Sequence, residues 1–147
     1  MKSHNWKTMN TLQRAKSLKM SVKTMYMVAD LEMPLRGKVV EAVDTTVVLA
    51  TDHLKGVTFV GVAQCSEKDT YSKTLGREIA SGRTLKTMMR YLEFGESLVD
   101  TRATVVDGKS HTIIGTVPSM EILDSIITYM KVLLLNKKEA EDAIREP

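Results

Sequence analysis

The chain has 147 residues, of which 43% are apolar and 27% charged, with 21 Lys and Arg against 18 Asp and Glu. That length and balance fit a single globular domain and exclude a disordered or fibrous chain. The net charge of +3 permits an anionic partner but falls well short of a histone-like DNA coat, and one cysteine excludes both a disulfide framework and a cysteine-rich zinc module. Taken in order, Trp6 to about Lys19 reads as a helix with Met9, Leu12 and Ala15 at helical spacing. Val22 to Met33 alternates as a strand, with Met25, Met27, Ala29, Leu31 and Met33 on one side and Thr24, Tyr26, Val28 and Asp30 on the other. Val39–Asp44, Thr46–Thr51 and Val57–Ala63 are rich in β-branched residues, and residues 52–56 make the connecting loop. This is an antiparallel meander of three or four short strands.

A central helix follows. Ser66 is a good N-cap with Asp69 three positions on, and Tyr71, Leu75, Ile79, Gly82, Leu85, Met89 and Leu92 form its apolar stripe. Gly95 suits the position just past its end. Ala103–Val106, the Asp107-Gly108 turn and His111–Val117 read as a second hairpin. Pro118-Ser119 opens a long C-terminal helix, with Met120, Leu123, Ile127, Met130 and Leu134 on its core face and Ile122, Ile126 and Leu133 widening it. A helix apolar over so much of its girth is expected to be covered by the sheet on one side and a second subunit on another, which predicts a homo-oligomer. Asn136 is the expected break before a charged tail at 137–147. The fold class is therefore α+β: residues 1–147 form one domain, with a meander packed on a central helix, a second hairpin and a long apolar C-terminal helix.

Charge is unevenly placed. Residues 1–38 carry eight basic and two acidic side chains, whereas residues 119–147 carry four and six. The basic helical arm at 1–20, with Lys2, Lys7, Arg14, Lys16 and Lys19 around Trp6, is either a solvated segment or a grip for nucleic acid, a protein partner or a second subunit. No stretch reaches the ~18 apolar residues of a membrane span, and Met1–Met20 lacks the apolar core of a secretory signal. The expected setting is the cytoplasm, without a membrane partner.

The segment least like scaffold is the central helix. Gly76 and Gly82 each cost about 1 kcal/mol relative to alanine in a helix interior, so close packing or a close ligand must offset them. Arg83, Lys86 and Arg90 share one flank at i, i+3 and i+7, with Gly76 on the same side and Arg77 farther out. A small-residue flank edged by arginines suits a phosphate, since the planar guanidinium matches two phosphate oxygens. A solvated edge paired with nearby acids is the alternative. Glu78 falls inside the apolar stripe, which means either a basic partner from elsewhere or a helix rotated from this reading.

Gly61-Val62-Ala63-Gln64-Cys65-Ser66-Glu67-Lys68-Asp69, with Tyr71, Lys73, Gly76-Arg77, Ile79-Ala80 and Gly82-Arg83, resembles small phage and prophage proteins of the anti-Thoeris and anti-CBASS sponge type. The resemblance covers roughly residues 39–92. It implies sequestration of a cyclic nucleotide immune signal in an oligomer, without turnover, with arginines and an aromatic holding the ligand in the host cytoplasm.

Enzyme signatures are missing: there is no Walker A loop, no G-x-G-x-x-G after a strand, no G-x-S-x-G and no H-E-x-x-H. His4, His53, His111 and Cys65 are too scattered to suggest a metal site by spacing. Neither a cofactor nor catalysis is expected. The expected ligand is a phosphorylated small molecule such as a nucleotide, held by Arg77, Arg83, Arg90 and Lys86, with Tyr71 and the Ser66 helix start assisting. Nucleic acid on the basic arm and inhibition of a host protein by direct contact are the rival readings.

Overall fold

The strand periodicity of the N-terminal half sets up a sheet with two apolar faces, and the computed structural model shows both of them covered by helices. It describes residues 20–32, 40–65, 73–106 and 108–145. The elements are β1 (Ser21–Glu32), β2 (Val40–Asp52), β3 (Val57–Gln64), α1 (Lys73–Phe94), β4 (Thr101–Val106), β5 (Lys109–Ile114) and α2 (Met120–Arg145). The fold is α+β: one five-stranded sheet in the order β1-β2-β3-β5-β4, with two helices. β1–β2, β2–β3 and β4–β5 are antiparallel, whereas β3 and β5 run parallel, with Val57, Thr58 and Phe59 opposite Thr112, Ile113 and Ile114. The meander and the second hairpin are thus one sheet, joined by a short parallel seam.

Alternation along the strands sorts the core into two layers. Val47, Leu49, Val60, Val62 and Ile113 pack with Ile122, Leu123, Ile126 and Met130 of α2, and Met25, Met27 and Ala29 join them as the β1 alternation predicts. Ala50, Phe59 and Ile114 face the other way against Met88 of α1, while Val48 and Ala63 meet Ala80. Phe59 and Tyr91 meet edge to face with centroids 5.5 Å apart. Each fully buried large side chain in these layers contributes about 1.5–3 kcal/mol.

β2 is one strand rather than two. Thr45 passes through the interior because its hydroxyl donates to the Val43 carbonyl at 3.2 Å and accepts from Gln64 Nε2 at 3.3 Å. β5 is shorter than expected, ending at Ile114. Gly115 takes φ +135° and turns the chain away, and a Cβ there would lie 2.5 Å from the Val60 carbonyl oxygen. α1 stops at Phe94 as expected, with Gly95 at φ +69°. Ser119 caps α2, its hydroxyl accepting from the Ile122 N–H at 3.3 Å.

The apolar stripe assigned to α1 is the main correction. Its buried residues are Gly76, Ala80, Ser81, Thr84, Leu85 and Met88, whereas Leu75, Ile79, Met89 and Leu92 are exposed. The helix is rotated so that its small side chains face the sheet. The reason is Gly61 on β3, which is buried and lies directly under the Ala80–Thr84 turn. With no side chain between helix and strand, α1 comes close enough for the Thr84 hydroxyl to reach the Val48 carbonyl at 3.0 Å, while also lying 3.0 Å from the Ala80 carbonyl. Glu78 consequently lies on the exposed side.

α2 also differs from expectation. It exposes Glu121, Asp124, Thr128 and Lys131 over its first half, so it is amphipathic rather than apolar around its girth, and its backbone continues through Asn136 to Arg145. Among the described residues no helix is long and apolar enough to cross a membrane. The expected arm at residues 1–20 lies outside the described residues except for Met20.

Candidate functional site

Three of the six residues predicted to bind ligand converge. Arg83, Lys86 and Arg90, with Thr87 between them, line a cleft of about 500 Å³ beside the carboxyl half of β3. The opposite wall is built by Leu98, Val99 and Asp100 ahead of β4, and by Gly115, Thr116 and Pro118 after β5. The floor is Val60, Gly61 and Val62.

The cleft exists because two parallel strands differ in length. β5 stops at Ile114 opposite Phe59, while β3 runs on to Gln64. Beyond that point the β5 side of β3 has no strand partner among the described residues, and Arg83 fills part of the gap by donating from Nη1 to the Val62 carbonyl. Crevices at the carboxyl ends of parallel strands, where the chain departs in two directions, are where open sheets bind ligands.

The electrostatics favour an anion. Three basic side chains and one carboxylate line the cleft, and the hydrogen bond to Val62 holds the Arg83 side chain in place. A guanidinium has five N–H donors, so one bond to a carbonyl leaves most of its fork for a ligand. Asp100 is held from two sides. Its carboxylate accepts from the Thr116 hydroxyl at 2.9 Å, and its backbone carbonyl accepts from the Gly115 N–H at 2.9 Å. A fixed carboxylate among arginines is suited to accept from a ligand hydroxyl while the cations take its phosphate.

The other predicted ligand residues stand apart. Arg77 is exposed on α1 and does not line the cleft. Ser66 and Tyr71 lie outside the described residues, as does the predicted N-cap of α1. Asp100, Thr87 and Thr116 are cleft residues that sequence reasoning missed. Asp100 follows α1 by six residues, but the loop that swings it back across the helix has no sequence signature, and Thr116 is brought opposite α1 only by the return of the chain through β4 and β5. Cys65 is half-buried just past β3, with its N–H bonded to the Asp44 carbonyl at 3.0 Å.

A second hollow of about 400 Å³ lies near the β2–β3 turn, on the α2 side of the sheet, with His53, Lys55, Lys109 and His111 around it and Val106, Met130 and Leu133 beneath. His111 Nε2 lies 2.7 Å from the Thr58 hydroxyl, which in turn lies 3.0 Å from that of Thr51, and exposed His53 contacts the Ser21 hydroxyl at 3.0 Å. Burial, reinforced by the nearby charge of His53, lowers the His111 pKa below its ordinary 6.5. An unfolded chain therefore takes up this proton first on acidification. The contribution of His111 to stability is complete above about pH 6.5 and is lost as the pH falls through that value toward the lowered folded one. Urea midpoints are accordingly expected to be lower at pH 5.5 than at pH 7.5, and the difference to shrink in His111→Gln; an unchanged difference in the variant would assign it to other groups.

Among the described residues no group of three or more His, Cys, Asp or Glu side chains is placed to hold a metal ion. Comparison with known proteins finds no matching family model, no matching curated protein and no matching solved structure.

Proposed function

We propose that this protein binds a phosphorylated, hydroxyl-bearing small molecule of the nucleotide class in the α1–β3 cleft and retains it without turnover. The observation that supports this most directly is the convergence of Arg83, Lys86 and Arg90 on one cleft with Asp100 facing them. Phosphate oxygens take the guanidinium forks of Arg83 and Arg90, Lys86 supplies a further charge, and Asp100 accepts from a sugar hydroxyl. The described lining contains neither histidine nor cysteine, and its one carboxylate is already bonded to Thr116. These groups suit holding a ligand better than transferring a proton or attacking a phosphorus atom.

The resemblance of residues 39–92 to the phage sponge proteins makes cyclic nucleotides the first ligands to offer, with sequestration of a host immune signal in the cytoplasm as the role. Isothermal titration against cyclic mono- and dinucleotides, linear nucleotides and pyrophosphate tests the binding, and chromatography of the released ligand tests retention. Saturable heat with the ligand recovered intact is the expected result. No heat with any of these compounds, or recovery of a hydrolysed product, would overturn the corresponding half of the proposal. Affinity that instead scales with oligonucleotide length and falls steeply with salt would identify a nucleic-acid binder.

A further inference from the structure

Turning its small face to the sheet leaves α1 with an outward seam. Leu75, Ile79, Gly82, Lys86, Met89 and Glu93 follow one another at alternating spacings of four and three, the pattern by which one helix packs along another. Leu75 is 52% exposed, Ile79 41% and Met89 39%, and Gly82 at the centre is half-buried.

The geometry points to an antiparallel pairing of α1 with α1 of a second copy of this chain, about a two-fold axis at Gly82. The axis follows from symmetry in the sequence. Leu75 and Met89 lie equally far before and after Gly82, so the axis places each opposite the other across the seam. Glu78 and Lys86 are likewise equidistant from Gly82, and both are exposed. Antiparallel pairing therefore sets Glu78 of each copy against Lys86 of the other, two opposite-charge contacts from one pair of residues. Parallel pairing would put Lys86 against Lys86 and Glu78 against Glu78, which like-charge repulsion disfavours. Glycine at the crossing lets the two backbones approach toward the short end of the usual 8–10 Å between helix axes. Over the described first half of α2, the surface first expected to carry the interface, the outward face bears Glu121, Asp124 and Lys131, with Val132 as its exposed apolar residue beyond Met120.

This inference does not rest on the ligand reading, and its test needs no ligand. Light scattering at micromolar concentration is expected to give twice the 16.4 kDa of one chain. Leu75→Glu with Met89→Glu is expected to give a monomer with an unchanged circular dichroism spectrum. Glu78→Lys weakens the dimer, and Glu78→Lys combined with Lys86→Glu restores it. In a Cys65→Ser background, Gly82→Cys places a thiol on the axis facing its own copy, so mild oxidation yields a covalent dimer. A monomeric wild type, a dimer that survives Leu75→Glu/Met89→Glu, or the absence of a Cys-linked product in an otherwise dimeric Gly82→Cys protein would each overturn it.

Discussion

Gly61→Ala is expected to lower stability by about 3 kcal/mol, the upper end of what one added methyl group costs in a packed interior. A Cβ at this position would meet the Ala80 carbonyl oxygen and the Thr84 hydroxyl, and would lie 2.5 Å from the Thr84 backbone nitrogen. Two of these three atoms are backbone, so no rotamer change relieves the clash. α1 must move off β3, and with it go the Thr84–Val48 hydrogen bond and the Arg83–Val62 contact. Gly95→Ala is the informative comparison. It strains a left-handed backbone position, but a Cβ there meets nothing within 4 Å, so its cost is only about 1–2 kcal/mol. Urea denaturation of the two variants measures the difference; equal costs would mean that α1 and β3 are not in such close contact.

Arg83→Ala is expected to weaken ligand binding roughly 10- to 100-fold, because a charge-assisted hydrogen bond contributes about 1.5–3 kcal/mol. Arg90→Ala should have a comparable effect, and the double variant should remove measurable binding. Arg83→Lys separates charge from geometry, since an ammonium keeps the charge but cannot present a planar fork. Arg77→Ala, on the same helix but outside the cleft, should bind like wild type. If Arg77→Ala weakens binding as much as Arg83→Ala, general charge on α1 rather than the cleft attracts the ligand. Arg83→Ala also leaves the Val62 carbonyl short of a donor, so each titration should accompany a thermal melt.

What the sequence revealed and what it hid divide along the range of the interactions. The two-residue alternation of β1 places Met25, Met27 and Ala29 on the α2 side, because burial of one face is a local property of strand geometry. The shared flank of Arg83, Lys86 and Arg90 is equally local, fixed by helical pitch alone. The burial face of α1 departs from its apolar pattern for a physical reason. Apolar residues mark the inward side of a helix only when its distance from the sheet is set by large side chains. Here Gly61 sets it, and Gly76, Ala80, Ser81 and Thr84 turn inward in place of Leu75, Ile79 and Met89. A glycine inside a β-branched strand was the available sign of close backbone approach. The parallel β3–β5 seam, and the placing of Thr116 across the cleft from the α1 cations, had no local sign at all.

That seam has a consequence for how the molecule assembles and opens. Thr58 and His111, which meet across it, are separated by 53 residues. The three-stranded meander and the β4–β5 hairpin each form from near neighbours, but their union must first close a long loop, an entropic cost that slows folding and favours late docking. Only three residue pairs lie in strand register across the junction, and the cleft begins where they end. The two walls of the cleft thus belong to segments that pair separately, one with the meander and one with the hairpin. A ligand gripping Arg83 on one side and Asp100 on the other would act as a clasp, slowing amide exchange in β5 well away from any atom it touches.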